Sequence, residues 1–421
     1  MKKIIFSIIT LLLLTNLFMG CTEQKKKNDD DFEILIEYDI NTLNSRFGFM
    51  HPDDFADMTD MGVFWQRPHP GPFIWGEIET SPGKFNWESC DKEVKRSQSY
   101  GVNIIATIWP FADWDQISCH SESPLSGSLI FEDLGRYRRK PCDMNTYENF
   151  ITSLVERYDG DGIDDMPGLV VPIKYWEVSN EPSMQNDWLV FFVGPAIDYF
   201  DILNSTYQTI KNADESAIVL KGGMAGVMGD MTDFWDEVFD LGGNNYFDIA
   251  NIHSINSDSD AINAPEYKTY LETKGINKTF WITEVEIGSM DVEKDINEEE
   301  NAKSLISNFV QAFNSGAEKI FHPGIMKSSG KYEPGKENTY NALNILVNKV
   351  DYFDSCEKIT EGQFKFIINE NIVYVLWGEE NITEEITGQV KLTDISGFET
   401  LIDAGEIILT ESPVFVEILK D

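Results

Sequence analysis

From residue 45 onward, short apolar runs alternate with longer amphipathic ones. The short runs are "RFGFM" (46–50), "GVFWQR" (62–67), "NIIATIW" (103–109), "IKYWEVSN" (173–180), "AIVLKGG" (217–223), "FDIANIHS" (247–254), "TFWITEVE" (279–286) and "EKIFHPG" (318–324). Their β-branched and aromatic content suits buried strands. Helical patterns such as "DKEVKRSQSYG", "TYENFITSLVERY", "TDFWDEVFDLGG" and "ENAKSLISNFVQAFNSG" lie between them, and several close on Gly, as helix C-caps do. Eight strands, each followed by a helix, predict an α/β fold, a (β/α)8 TIM barrel over residues 32–351. A doubly wound open sheet is the alternative, but no Gly-rich phosphate fingerprint follows any strand.

After about residue 352 the period changes. "QFKFIIN", "NIVYVLWG", "QVKLTDI" and "SPVFVEIL" alternate apolar and polar residues with turns between, predicting a small antiparallel β-sandwich over 352–421. The stretch "FEILIEY" (32–38) opens the barrel domain and is also a candidate to cross over into the sandwich. Ahead of it, "MKKIIFSIITLLLLTNLFMGC" has basic Lys2 and Lys3, an apolar run from Ile4 to Met19, and Gly20 before Cys21. This is the pattern of a lipoprotein signal peptide over 1–20, with Cys21 as the lipid-bearing N-terminus. An uncleaved membrane anchor is the alternative, the run being short for a span. Residues 21–31 read as a solvated linker. An exported cell-surface or periplasmic lipoprotein is expected, touching the membrane through its lipid alone.

Composition narrows the partners. With 33 basic and 72 acidic residues the net charge is −39, which disfavours nucleic acid and anionic membranes and suits a neutral substrate. Besides Cys21 the chain holds Cys90, Cys119, Cys142 and Cys356, none at CxxC spacing, so a zinc cluster is not expected. Cys119 and Cys142 bracket one loop-like stretch and are the preferred disulfide pair.

Barrel enzymes place chemistry at the C-terminal ends of their strands. The fourth strand, in "YWEVSNEPSM", stops at Asn180-Glu181-Pro182, because proline cannot extend the ladder. The seventh carries Glu284 and Glu286 near its end. Carboxylates on strands four and seven face each other across the mouth, as hydrolysis of a glycosidic bond requires. On this reading Glu181 donates the proton, Glu284 or Glu286 supplies the second carboxylate, and Asn180 binds substrate.

The "NEP" at 180–182, the "WITE" at 281–284 and the segment "FIWGEIETSPGKFNWESCD" at 73–91 together resemble glycoside hydrolase clan A, nearest to families 39 and 5. The clan comprises retaining glycosidases on a (β/α)8 barrel. The resemblance spans roughly residues 45–350 and implies Glu181 as acid/base, Glu284 as nucleophile, and no cofactor. It also places Arg67 near the nucleophile, where its charge lowers the carboxylate pKa, and His253 at the tip of strand six. The chain departs from the clan pattern at Glu286, at Ser254-Ile255 and at Phe321-His322-Pro323.

His51, His69, His120, His253 and His322 all fall at or beyond strand C-termini. Sugar-hydroxyl binding is the role assigned to this group, with His120 and His322 named as substrate contacts. A metal site is the alternative, without an HxH or HExxH motif to carry it. Trp65, Trp75, Trp109, Trp114 and Trp188 lie near the same face; their rings suit stacking on sugars, at least two of them being expected in the core, and Trp109 is the named substrate contact. Glu177 reads as a hydrogen-bonded core carboxylate. "ERYDGDGIDDMPGL" offers Asp159, Asp161 and Asp164 as a partial calcium-loop pattern, against a solvated acidic turn. The expectation is a retaining hydrolase of β-linked oligo- or polysaccharides; a non-catalytic carbohydrate-binding lipoprotein on the same barrel is the alternative.

Overall fold

Eight parallel strands carry side chains alternately into the barrel and out toward a ring of helices. They are β1 (Phe47–Met50), β2 (Trp65–Arg67), β3 (Asn103–Ile108), β4 (Tyr175–Val178), β5 (Ile218–Lys221), β6 (Ala250–Ile255), β7 (Phe280–Glu286) and β8 (Ala317–Pro323). The structure is a computed structural model that describes residues 38–52, 54–121, 124–126, 129, 131–185, 189–255, 262–286, 298–323, 327–328, 331–332 and 337–419. The signal-peptide pattern, Cys21, Trp188 and all but Tyr38 of the 32–38 stretch lie outside the described residues.

Hydrogen bonding orders the sheet β5–β4–β3–β2–β1–β8–β7–β6. Its two ends meet through the bridges Leu220–Ile249 and Met224–Ile252, which nearly close the barrel. A helix of the outer ring follows each strand: α1 (Phe55–Asp60), α2 (Glu88–Ser99), α3 (Met144–Tyr158), α4 (Ala196–Ala213), α5 (Gly229–Asp240), α6 (Ala264–Thr273), α7 (Glu298–Asn314) and α8 (Glu337–Val350). In α3 the local rules are plain. Asp143 caps it by accepting from the Asn145 and Thr146 N–H groups. Tyr147, Phe150, Ile151, Leu154, Val155 and Tyr158 then bury one face at helical spacing.

Inside the barrel, the floor is apolar: Trp65, Ile105, Leu220, Ile249, Trp281 and Phe321 form one cluster. Lys319 stands over the Trp65 and Trp281 rings at 4.7 and 5.2 Å and donates to the Leu43 and Ser45 carbonyls at 2.7 and 2.5 Å. Its ammonium ties the turn at Ile40–Asn44 under the barrel. Trp65 is therefore not at the mouth, as expected from sequence. It starts β2, two residues before Arg67, and that spacing drops it to the opposite end of the interior.

The C-terminal segment forms one six-stranded antiparallel sheet: β9 (Ser355–Thr360), β10 (Gln363–Ile368), β11 (Asn371–Leu376), β12 (Gln389–Asp394), β13 (Glu399–Asp403) and β14 (Val414–Ile418). Their order is β9–β10–β11–β14–β12–β13. Phe364, Phe366, Val373, Val375 and Phe415 join the core shared with the barrel helices, while Tyr374, Leu376, Val390 and Val416 pack on the other face. The sheet thus buries apolar residues on both sides.

Cys119 and Cys142 are disulfide-bonded across a separation of 23 residues. The bond ties the short helix Asp113–His120, beyond β3, to the residue before the α3 cap. Closing a loop of this length contributes about 3 kcal/mol by restricting the unfolded chain. Guanidinium unfolding of oxidised protein and of a Cys119→Ser/Cys142→Ser variant should differ by about that amount. Coincident midpoints would show that the bond adds nothing.

Candidate active site

The site begins where β4 stops being a strand. Val178 ends the ladder, and Ser179 and Glu181 both adopt left-handed backbone conformations, with φ of 65° and 37°. Such conformations cost on the order of 1–3 kcal/mol each for residues with a side chain. They are held by the Ser179 N–H donating to the Ile108 carbonyl at 2.9 Å and the Met184 N–H donating to the Glu181 carbonyl at 2.8 Å. The twist turns Asn180 and Glu181 into the mouth.

Arg67, at the end of β2, is fully buried. Its Nε donates to Glu177 Oε2 at 2.8 Å, Nη1 to Glu284 Oε2 at 3.1 Å, and Nη2 to Asn180 Oδ1 at 2.5 Å. Glu177 sits one layer below Glu181 and also accepts from Thr107 at 2.5 Å, Asn251 at 2.6 Å and Thr283 at 3.1 Å. Burial pushes its carboxyl up, but the Arg67 charge, the nearby His253 and the Arg67 hydrogen bond hold it down to about 2. It is the core carboxylate read from sequence.

Glu284 reaches the mouth through a register shift. Ile252 pairs with Ile282, yet His253 pairs with Glu284, so Thr283 is an extra residue on β7. This bulge lets two consecutive side chains serve the interior: Thr283 bonds to Glu177 and Glu284 to Arg67. Glu286 ends the strand, and its side chain lies outside the described residues. His253, on β6, joins the carboxylates. Its Nδ1 is 2.8 Å from Glu181 Oε1 and 3.6 Å from Glu284 Oε2, while Nε2 is 2.9 Å from Thr283 Oγ1. The imidazole rests against Gly223, where a Cβ would stand 2.1 Å from Nε2.

These groups perturb one another. Burial lowers the His253 pKa, but the Glu284 charge, the Glu177 carboxylate 3.9 Å away and the hydrogen bond to Glu181 carry it up to about 9. Burial raises the Glu284 carboxyl; the His253 and Arg67 charges oppose it, and Glu181 and Glu177 add to it. The net direction is upward: Arg67 lowers the Glu284 pKa, as expected, but burial outweighs it. Glu181 and Glu284 remain slightly accessible, at 6% and 8%.

Asn180, Arg67, Glu181, His253 and Glu284 are thus brought together. The other named candidates lie elsewhere. Trp109 is fully buried, its indole N–H donating to the Pro70 carbonyl at 2.6 Å, so it offers no open ring. His120 stands beside the disulfide, its Nε2 3.0 Å from the Lys140 carbonyl. His322 leaves β8 on its outer side and packs near Phe309 of α7 and Tyr340 of α8. Trp75 is buried against Trp114 and Tyr147. Asp159 and Asp161 gather with Glu156, their ligand atoms within 4.8 Å of one another, but Asp164 is not in the group.

Three participants escaped the sequence reading. Thr107, Asn251 and Thr283 are inward-facing, and Asn251 lies two residues before His253, the spacing that marks a shared strand face. His69 is buried with Nδ1 unpartnered, 5.0 Å from the Phe131 ring centroid and 5.6 Å from that of Trp109. Burial and the Arg67 charge push its pKa well below the usual histidine value.

No family model matches the sequence, and no curated protein does. Solved structures do match. A glucosidase from Croceicoccus marinus is similar with a TM-score of 0.62 at 12% identity, over 90% of this chain and 97% of its own. A GH39 β-xylosidase from Caulobacter crescentus aligns with a TM-score of 0.60 at 13% identity, over 89% and 96%. CelM2, a bifunctional glucanase-xylanase from a metagenome library, gives 0.58 at 12% identity, over 88% and 95%. The chain has the fold of these proteins, the (β/α)8 barrel expected from the clan A resemblance.

The raised His253 pKa has a consequence for stability. A histidine raised on folding contributes stability that is complete below its unfolded value of 6.5 and is lost as pH climbs through about 9. Denaturation of wild type and His253→Gln across pH should therefore show a stability gap that narrows between those values. A gap that stays constant or widens would contradict the charged pairing.

Proposed function

We propose that this chain is a retaining glycoside hydrolase that cleaves β-linked saccharides by double displacement. The observation that carries the reading is the single imidazole nitrogen shared by Glu181 and Glu284, 2.8 and 3.6 Å away. The two nearest carboxylate oxygens can be no farther apart than those distances laid end to end. That is below the roughly 6.5 Å at which inverting pairs begin. That proximity supports the closer spacing of retaining pairs, in which the second carboxylate acts as nucleophile.

In the first step Glu284 attacks the anomeric carbon while Glu181 protonates the departing oxygen. Arg67 orients Glu284 through Oε2, which leaves Oε1 for the attack. Asn180 Nδ2 is buried without a partner and is suited to a sugar hydroxyl. In the second step Glu181 takes a proton from water, which releases the sugar from Glu284. The β-xylosidase and glucosidase names of similar structures support a saccharide substrate.

Aryl β-glucosides and β-xylosides test the assignment. Glu284→Ala should lose activity on all substrates. Glu181→Ala should still form the glycosyl-enzyme from an activated aryl glycoside, turn over roughly a hundred- to ten-thousandfold more slowly, and be rescued by azide as a β-glycosyl azide. An α-glycosyl azide would refute double displacement. A dead Glu286→Ala beside an active Glu284→Ala would move the nucleophile.

We infer further that the protein is exported and anchored by a lipid on Cys21. The signal-peptide pattern supports this, as does the Cys119–Cys142 disulfide, a bond at home in oxidising compartments. Cys21→Ala should then move the protein from the membrane to the soluble fraction. Unchanged membrane association would assign the anchor to the apolar run instead.

A further inference from the structure

The hydrogen bonds beneath His253 determine which of its nitrogens can exchange a proton. Glu177 accepts from Arg67, Thr107 and Asn251 and is ionised, so it can only accept. Asn251 must therefore turn its Nδ2 toward Glu177, 2.6 Å away, and its Oδ1 toward Thr283. The Thr283 hydroxyl then has two neighbours that can only accept: Glu177 Oε1 at 3.1 Å and Asn251 Oδ1 at 2.9 Å. Its single proton goes to one of them. The third neighbour, His253 Nε2 at 2.9 Å, can then only donate to Thr283. Nε2 is permanently protonated.

The exchangeable position is thus Nδ1. At 2.8 Å from Glu181 Oε1, one proton must lie between the two atoms, carried by either the imidazole or the carboxyl. We propose that the transferable proton of this site is shared between His253 Nδ1 and Glu181 Oε1, and that Thr283 is the positioning residue that confines it there by occupying Nε2. The inference rests on the glycosidase reading above and adds to it a link between the two carboxylates.

The link is electrostatic. His253 faces Glu177 and Glu181 from β4 and Glu284 from β7, with Arg67 of β2 and His69 of the following loop beyond them. While Glu284 is ionised, its charge favours the imidazolium. As Glu284 forms its bond to the anomeric carbon, that charge is lost and Nδ1 becomes a weaker base. The Nδ1–H bond breaks as an Oε1–H bond forms, and Glu181 passes a proton to the glycosidic oxygen, which departs with the bonding pair. When water releases the sugar, Glu181 takes its proton, Glu284 regains its charge, and the proton returns to Nδ1. Nucleophilic attack thereby makes the acid ready.

The chain has only five histidines, so nitrogen-15 NMR of histidine-labelled full-length protein can read each ring, with His253→Gln assigning the signal. In wild type, Nε2 of His253 should stay protonated across the titration while Nδ1 alone changes. Thr283→Val keeps the shape but removes the acceptor. It should free Nε2 to lose its proton, move the basic limb of the kcat profile to lower pH, and reduce kcat on poor leaving groups roughly ten- to hundredfold with KM little changed. Thr283→Ser should restore both. A wild-type His253 that deprotonates at Nε2 overturns the proposal without recourse to any variant. So does a Thr283→Val enzyme with unaltered nitrogen signature and pH profile. Failure of the glycosidase reading would look different: the wild-type nitrogen signature would stand, but no aryl glycoside would be cleaved.

Discussion

The burial of the Arg67 guanidinium is the constraint around which the mouth is organised. A cation with no access to water is tolerated only when its charge and its N–H groups are met by the protein. Glu177, Asn180 and Glu284 meet them from two further strands. The same bonds fix the spacing between β2, β4 and β7 at their C-terminal ends. With His253 charged, two cations stand among three carboxylates, leaving one surplus negative charge. That is the number a single nucleophile requires. Removing Arg67 would leave buried carboxylates crowded together, a loss of both shape and charge balance.

This polar layer rests on an apolar one. Trp65, Trp281 and Phe321 fill the barrel below it, and the Lys319 ammonium fastens the N-terminal turn beneath them. Lys319 is itself a buried cation, met by carbonyls and aromatic faces rather than by carboxylates. Burial lowers its pKa to about 7. The interior therefore holds a floor that needs little charge and a mouth that concentrates it.

Much of this was legible in the sequence, for reasons that also explain the rest. Parallel strands buried on both faces read as continuous apolar runs, so all eight barrel strands were visible. In the C-terminal sheet, β9 and β13 were missed because they are its edges. Their exposed positions, such as Glu357, Lys358 and Glu399, dilute the alternation. Glu181 and Glu284 stood out because a carboxylate at a strand tip is conspicuous. Thr283 and Asn251 did not, since neutral polar residues in a strand carry no comparable signal, and the bulge that makes Thr283 useful leaves no local mark. His322 shows the opposite error: a histidine at a strand end attracts notice, but a one-residue step decides whether it faces mouth or helix.

Gly222 and Gly223, just beyond β5, have a bearing on how other chains can be read. A methyl group on Gly222 would meet the Val178 carbonyl at 2.8 Å, and one on Gly223 would strike the His253 ring. Neither position is left-handed; both are glycine because backbone and imidazole come too close for anything else. The pair is thus a negative imprint of the histidine, written in the chain some thirty residues before it. In a diverged sequence where the histidine is ambiguous, a Gly-Gly after the fifth strand identifies the pocket that the ring must fill. Its replacement by larger residues would signal that the ring has moved or been lost, even if both carboxylates remain.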